Sequence, residues 1–562
     1  MSKTVKTAEG QIYTLINNAV AAALAAGEFT ETGDFTFKVE VPADKKNGDF
    51  SANAAFMLAK SQHKPPRAVA DAIIARLELS DTYFSKCEAA GAGFINFFFG
   101  AQYYADILLD IEREGDSYGS SDYGEGKRVL VEFVSANPTG PMHIGNARGG
   151  ALGDCLASVL TKAGYYTERE FYVNDAGNQV EKFSLSLELR YREVCGEQIE
   201  MPEDSYHGDD IIAHAKEFHA LYGDSYINKP EQERRQALCS FALPKNIDGL
   251  EKDLLSYRIK YDTWFRESTL HKSGEVTRVL KLLTDSGFTY ESEGATWFRA
   301  TDFGCDKDFV LIRSNGIPTY IVPDIAYHYN KLKVRNFDTA IDILGADHHG
   351  YVPRLKATLQ ALGIDPARLN VILMQMVRLV RNGETIKASK RSGKAITLVT
   401  LLDEVPIDAA RFFFNYREAN SHFDFDLDLA VEQSSQNPVY YCQYAHARIC
   451  SIFKKLADDG VTASHPQREE LMLLTSDEER SLITHLSHLT DEVISAAKLL
   501  DPTKMTHYAI ELAADFHKFY NAQRVLDDNE SLRNARLFLC GCVRDTMKII
   551  LNMMKIDAPE QM

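Results

Sequence analysis

The chain has 562 residues, enough for roughly three or four domains. Its 45% hydrophobic and 25% charged composition is that of an ordinary globular protein, and no apolar run nears the roughly 18 residues that span a bilayer. The formal charge of −18 argues against a nonspecific nucleic-acid binder, but leaves room for an enzyme with one local basic face.

The opening stretch MSKTVKTAEGQIYTLINNAVAAALAAGEF is polar and then amphipathic. It lacks an apolar h-region with a cleavage site, so it reads as part of the fold, with a helix near 8–26. A strand-like run, FTFKVEVP (35–42), follows. An Asn-Gly turn then leads into a helix ending near Lys60, and a further helix (67–77) starts after Pro65-Pro66. AGAGFINFFFG (90–100) alternates like a strand. A helix over 101–114 runs into EGDSYGSSDYGEGK, a turn-rich linker.

From Arg128 the pattern changes. RVLVEFV reads as a short buried strand, a Gly-rich turn follows, and a helix covers about 147–163, with Gly164 at its C-terminal stop. YTEREFYVND (166–175) is the next strand. Such a β-turn-α-β unit opens a doubly wound nucleotide-binding sheet. Residues 180–285 are polar and mostly helical, an insertion between sheet strands. The sheet is expected to resume with 308–328, 338–350 and 370–380. Helices follow at 440–456, 478–500, 504–524 and 530–554. The expected architecture is an α/β Rossmann-type catalytic domain (119–400, insertion about 180–285) between an N-terminal α+β domain (1–118) and a C-terminal all-α helical bundle (401–562).

The nine cysteines form no CxxC pair and are odd in number. That points to a reducing cytoplasm and away from a zinc site or a disulfide framework. His348 and His349 are adjacent, so their side chains diverge, and no third ligand is evident.

Two stretches carry chemistry. In SANPTGPMHIGNARGGALGD (135–154) a strand ends at a helix N-terminus, where unpaired N–H groups and the dipole suit a phosphate. Gly140, Gly145, Gly149 and Gly150 let backbone or ligand approach closely. His143 is placed to hydrogen-bond an anion that gains charge in a transition state. In IKASKRSGKAITL (386–398), Lys387, Lys390, Arg391 and Lys394 alternate with Ser389, Ser392 and Gly393. A mobile ammonium arriving over a triphosphate stabilises the transition state more than the ground state. The bland alternatives are a capping turn and a solvated basic face. The combination of strand, turn and His143 favours the phosphate reading.

HIGN followed downstream by KASK resembles the two signatures of class I aminoacyl-tRNA synthetases. Together with VEFVSANPTGPMHIGNARGG, FYVNDAGNQV (171–180), ILGADHHGYVPRL (343–355), NPVYYCQYAHAR (437–448), NGDFSANAAFMLAK, GAGFINFFF and DAPEQM, the chain resembles bacterial arginyl-tRNA synthetases over essentially its whole length. The resemblance implies arginine activation by ATP with Mg²⁺, then transfer to the terminal ribose of tRNA(Arg). It implies catalytic roles for His143, Asn146, Lys387 and Lys390, and ATP contacts from Gly145, Gly345, Asp347 and Ser389. Glu132, Asn137, His143, Tyr320, Asp324 and His348 would hold arginine. A guanidinium is a planar fork of five donors, best met by carboxylate and hydroxyl acceptors. Phe94 and Asn96 at the N-terminal end, and Tyr444 and Arg448 in the bundle, would contact tRNA. A cytoplasmic monomer with no membrane segment, zinc or tightly bound cofactor is the expectation.

Two positions depart from the class pattern. Asn146 stands where many relatives carry a second histidine, and Ala388 where methionine is common. Asparagine keeps a donor for a phosphate or ribose oxygen but carries no charge. A noncatalytic tRNA-binding paralogue is disfavoured by the intact His143, Lys387, Lys390, Glu132 and Asp324. A dinucleotide-binding oxidoreductase is disfavoured because GxGxxG is absent.

Overall fold

The structure is a computed structural model and describes residues 3–30, 33–387, 396–460 and 464–562. Its first helix, Lys3–Ala25, buries Ile12, Ile16, Ala19 and Ala23 at helical spacing. This helix accompanies an antiparallel sheet of β1 (Val39–Glu40), β2 (Phe50–Ala52), β3 (Phe84–Ala90) and β4 (Phe94–Phe99), in the order β1-β2-β4-β3. The run 35–42 contributes only two residues to this sheet, and the helix expected at 67–77 spans Pro66–Ile74. The Tyr103 hydroxyl donates to Ser487 and the Tyr118 hydroxyl to the Leu486 carbonyl. The N-terminal unit is therefore docked on the C-terminal helices.

A second sheet starts with β5 (Arg128–Glu132), β6 (Tyr166–Val173) and β7 (Thr263–Arg266). A small antiparallel sheet follows, of β8 (Thr289–Ser292), β9 (Ala295–Phe298) and β10 (Phe309–Ile312). The chain then returns to the second sheet with β11 (Thr339–Gly345) and β12 (Leu369–Met374), giving a five-stranded parallel sheet in the order β12-β11-β5-β6-β7. From β5 the chain first builds outward through β6 and later returns to lay β11 on the other side. The strand order thus reverses between β5 and β11, which opens a ligand crevice at their carboxyl ends.

Three expectations for this region are corrected. Strand β7 lies inside the span expected as an insertion, between the helices Asn178–Val194, Asp209–Tyr222 and Glu231–Ser256 on one side and Glu267–Lys272 and Glu275–Asp285 on the other. Residues 308–328 are not one sheet segment: β10 belongs to the small antiparallel sheet, and Ile321–Tyr329 is a helix. An apolar run of that length suits either state, and here it packs as a helix over the sheet. The run 370–380 breaks after Met374, and β13 (Val377–Arg381) joins a third sheet with β14 (Glu384–Ile386) and β15 (Phe423–Asp426). Asn382 and Gly383, both at positive φ, close the β13–β14 hairpin.

The C-terminal bundle consists mainly of Pro438–Asp458, Asp477–Ser487, Leu489–Leu499, Thr503–Ala522 and Glu530–Met553. The helix expected over 478–500 is split at His488. The architecture is an α/β Rossmann-type unit flanked by an N-terminal α+β unit and an all-α bundle.

Candidate active site

A cavity of about 1300 Å³ fills the crevice between the ends of β5 and β11. The turn after β5 forms one wall, and it is strained. Val134 (φ 69°) and Ser135 (φ 40°) both lie in the left-handed region, where a β-branched valine is an outlier. Three hydrogen bonds hold the turn. Ser135 Oγ donates to Glu132 Oε1 (2.8 Å) and accepts from the Tyr172 N–H (3.1 Å), and the Tyr261 hydroxyl donates to the Phe133 carbonyl (2.9 Å).

The helix Ile144–Lys162 begins at the cavity, with His143 as its extended N-cap. Asn146 Oδ1 accepts the backbone N–H of His143 at 3.0 Å. The amide oxygen is thus committed to shaping the helix start, which leaves its NH₂ as the polar group for a ligand. His143 also pairs as a β-bridge with Thr397, and the Leu398 N–H donates to the Met142 carbonyl (3.0 Å). The chain that leaves the KASK segment is therefore stitched to the HIGN turn. Lys387, the first residue of that segment, and Ile396, beyond it, both line the cavity. Lys390 and Ser389, with Ala388, Arg391 and Lys394, lie outside the described residues.

The glycines divide between two uses. Gly140 and Gly145 face open space, as a ligand-facing position requires. Gly150 packs instead: a Cβ there would lie 2.7 Å from Ile259 Cδ1. Gly153, one turn on, has Phe133 where its Cβ would be, so the helix lies directly on the chain leaving β5.

Arg148 pins this helix to the third sheet. It is fully buried, and among the described residues no carboxylate pairs with it. Its guanidinium donates to the carbonyls of Gln375 (2.8 Å), Glu418 (2.8 Å) and Ser421 (3.2 Å) and lies over the Phe423 ring. Gln375 lines the cavity and precedes β13, the root of the hairpin that leads to Lys387. Helix start and hairpin root are thereby held in one geometry.

The opposite end of the cavity is a buried ionic network. After the helix Ile321–Tyr329 the chain makes one π turn, Asn330–Val334, which carries Lys331 into the core. Its ammonium donates to Glu132 Oε2 (2.5 Å) and Asp342 Oδ1 (2.8 Å), and His328 Nε2 bonds Asp342 Oδ2 (2.6 Å). Burial alone would lower the Lys331 pKa, but Asp342, Glu132 and Glu170 around it raise it above the usual lysine range. Burial would raise Asp342, yet Lys331 and His328 hold it below the usual carboxylate range. Glu132, His328 and Asp342 could by themselves surround a cation, and the Lys331 ammonium occupies that role. A second convergent group, Cys195, His219 and Asp224, lies in the helical segment outside the cavity, with His219 Nε2 3.0 Å from Asp224.

Asp324 lines the same end. It lies in the first turn of its helix, whose N-cap is Tyr320. Burial, with Glu267 and Glu132 nearby, pushes its pKa to about 6, against the Tyr351 hydroxyl that donates to Oδ2 and against His328. Glu132, expected to hold arginine, has each of its oxygens already engaged, by Lys331 and by Ser135. Asn137, Gly145, Gly345, Asp347 and His348 line the cavity. Tyr320 does not: it is 72% exposed, one turn before Asp324. Lys331, Tyr172, Tyr351 and Arg148 went unread in the sequence. Lys331 looks there like an ordinary surface lysine in KLKVRNF, and only the π turn places it inside.

The residues expected at nucleic acid separate by exposure. Phe94 is 44% exposed and packs against Phe56 at 4.8 Å. Asn96 is a correction to the expected surface contact: although it shares a strand face with Phe94, it is 1% exposed, with Oδ1 accepting from Ser51, because β4 is an inner strand and Asn96 lies between Ser51 of β2 and Glu88 of β3. In the bundle, Tyr440 stacks on Tyr444, and Arg448 lies over Tyr444 and Tyr520, a ladder at i, i+4, i+8. The facing residues Gln443 and His446 are buried and bond the carbonyls of Asp557 and Pro559, fastening the C-terminal segment.

Three family models match the chain. They are the arginyl tRNA synthetase N terminal domain over residues 11–99, the class I (R) tRNA synthetase catalytic domain over 111–453, and the DALR anticodon binding domain over 442–562. The arginine–tRNA ligase of Acetivibrio thermocellus is 48% identical over 565 residues, covering 100% of both chains. That of Ruminiclostridium cellulolyticum is 49% identical over 554 residues, covering 98% of each. The Thermus thermophilus arginyl-tRNA synthetase structure shares the fold, with a TM-score of 0.73 at 23% identity over 97% of this chain and 99% of that one. With the whole length matched and the crevice built as its motifs require, the chain belongs to the arginyl-tRNA synthetase family.

Proposed function

We propose that this chain is an arginine–tRNA ligase whose two chemical steps share the cavity between β5 and β11. The arginine carboxylate attacks the α-phosphorus of ATP, supplied with Mg²⁺, and pyrophosphate leaves. The terminal ribose hydroxyl of tRNA(Arg) then attacks the carbonyl carbon of the adenylate, and AMP leaves. Both steps need positioned groups and charge stabilisation more than covalent chemistry.

The observation that carries the reading is the polarity of the one cavity. A half-buried, ionisable Asp324 stands at one end, and a helix N-terminus with His143 and Lys387 at the other. Asp324 receives the guanidinium, with His348 and Asn137 toward the α-amino and carboxyl groups. Glu132 acts mainly by fixing the strained turn and Lys331. The triphosphate lies on the first turn of the helix, met by Gly145 N–H, the Asn146 NH₂ and His143. Lys387, with Lys390 and Ser389 from the same motif, covers it. Gly345 and Asp347 take the nucleoside. Phe94 and the Tyr444–Arg448 ladder offer stacking faces to unpaired tRNA bases.

We divide the chain into an N-terminal unit to 118, a catalytic unit to 400 and an anticodon-binding unit beyond. We place it in the cytoplasm as a monomer. All nine cysteines are free, and among the described residues no helix is long and apolar enough to cross a membrane. The test is charging of tRNA(Arg) with labelled arginine and ATP. Absence of arginylation with intact tRNA overturns the reading.

A further inference from the structure

Cys195, His219 and Asp224 belong to none of the roles above, and the fold assembles them from two helix ends. The helix Asn178–Val194 stops at Cys195, with Gly196 at positive φ behind it. The chain then runs back along that helix. Asp204 pairs with Lys182 at 2.9 Å, the Tyr206 N–H donates to Ser186 Oγ at 2.9 Å, and the Tyr206 hydroxyl reaches Gln179. The helix Asp209–Tyr222 therefore starts where the first one starts and runs parallel to it. Both end at the same place, where Tyr191 of the first packs edge-on against Phe218 of the second at 5.4 Å. His219 lies in the last turn of the second helix, and Gly223 (φ 55°) turns the chain so that Asp224 faces back on it. The Tyr191 hydroxyl holds this turn, donating to the Gly223 carbonyl (2.7 Å) and accepting the Tyr226 N–H (3.3 Å).

One sulfur, one imidazole nitrogen and one carboxylate oxygen meet there within 4.8 Å of one another, with His219 Nε2 3.0 Å from Asp224 Oδ1. Without an ion the three partner each other, since the Cys195 thiol and the imidazole both turn to the Asp224 carboxylate. Ligand atoms around a tetrahedral zinc stand about 3.3–3.7 Å apart, so movements of about 1 Å complete three corners. Electrostatics favours a cation at this point, because two parallel helices bring two negative dipole ends together. Arg190 and Arg192, near the end of the first helix, are already paired with Glu193 and Glu197. The only basic side chain in the last turn of the second is His219 itself. The ligand types choose the ion: thiolate with imidazole suits zinc, whereas calcium and magnesium take oxygen. Asp224 is 68% exposed, which gives an ion a way in and leaves the fourth corner to water. We propose that Cys195, His219 and Asp224 form a zinc site that ties the ends of these two helices together. Binding forms the zinc–sulfur bond and releases the thiol proton to solvent. The cysteine pattern pointed away from zinc because these ligands come from separate elements and make no CxxC pair.

The test uses the full chain, stripped of metal by a chelator under a thiol reductant, with Co²⁺ and Zn²⁺ as probes. Co²⁺ should bind with a thiolate-to-metal charge-transfer band in the near ultraviolet and the strong visible bands of a tetrahedral ion. One equivalent of Zn²⁺ should abolish both. Cys195→Ser should remove the charge-transfer band. His219→Ala and Asp224→Asn should keep it and weaken Zn²⁺ binding by at least the roughly tenfold that losing even an outer partner of a metal site costs. Zn²⁺ at about a hundred times its dissociation constant should raise the melting temperature of the wild type and leave that of Cys195→Ser unchanged. If Cys195→Ser does not fold, the other two variants carry the comparison. A Co²⁺ spectrum without the charge-transfer band overturns the inference, as does a band that survives in Cys195→Ser and so belongs to another thiol. Equal stabilisation of the wild type and every folded variant by Zn²⁺ overturns it too. None of these readouts needs arginylation, so the zinc site stands or falls apart from the reading of the cavity.

Discussion

At the end of the cavity proposed for arginine, Glu132, His328, Lys331 and Asp342 are buried and bonded to one another. At the end proposed for ATP, His143, Lys387 and Asp347 stand exposed on a helix cap, a loop and the 3₁₀ turn Ala346–Gly350. The contrast follows from what each end must bind. A guanidinium pocket needs carboxylates out of water, and two such groups in a core stay ionised only with a built-in cation between them. A triphosphate brings several charges of its own and sheds a product, so its partners work from the water side, where groups can approach and withdraw.

If the arginine end is held by its ion network, Lys331→Met leaves Glu132 and Asp342 buried without their ammonium and costs about 3–5 kcal/mol of stability. Lys387→Met, at the other end, changes stability by no more than about 0.5 kcal/mol, as exposed substitutions do. Chemical denaturation of the two variants checks this, and equal midpoints would remove the distinction between the ends. His143→Ala should lower kcat by about 10²–10³, the usual cost of losing a donor to developing charge, with an unchanged denaturation midpoint. A kcat near wild type would take His143 out of the chemistry.

The two ends also differ in pH response. Asp324 binds a cation only when ionised, and its pKa in the free protein is about 6. Affinity for arginine is therefore full above that value, and the KM for arginine rises about tenfold per unit as pH falls below it. The stability sign is opposite. Its folded pKa lies above the ordinary 3.8, so its contribution to stability is full below about 4 and is lost as pH rises through about 6. Bound arginine restores it. KM for arginine measured from pH 5 to 8 tests the assignment, and Asp324→Asn should flatten that profile.

How much of this was legible in the sequence follows the same division. The strand–turn–helix unit at the end proposed for the triphosphate was readable because its determinants are contiguous: strand, Asn-Pro-Thr-Gly-Pro turn, His143 and helix lie within one segment. The arginine end was only half readable. Asp324 was found through its motif, but Lys331, Tyr172 and Tyr351 come from separate elements and look, in isolation, like a surface charge and core aromatics. Their function lies in long-range contacts, such as Lys331 to Glu132, 199 residues apart. Strand β7 was missed for a related reason. Four residues, TWFR, carry too little periodicity to stand out after a long helix, and only pairing with β6 makes them a strand.

The smallest effect concerns Asn146, where the class pattern and this chain part. The expectation from the sequence gave its amide to a phosphate or ribose oxygen alone. The structure gives the amide oxygen to the His143 N–H, so the residue also sets the angle at which His143 enters the helix. Asn146→Ala removes the cap and should cost about 1 kcal/mol of stability, with a modest loss of kcat through His143. Asn146→Asp keeps an acceptor for the His143 N–H and places a negative charge where the helix dipole favours it, so stability is kept. That same charge faces the triphosphate, and the KM for ATP should rise while the KM for arginine does not. If Asn146→Ala denatures with the wild type, the cap contributes nothing. If Asn146→Asp leaves the KM for ATP unchanged, this turn does not meet the triphosphate, and the division of the cavity into two ends must be redrawn from Lys387.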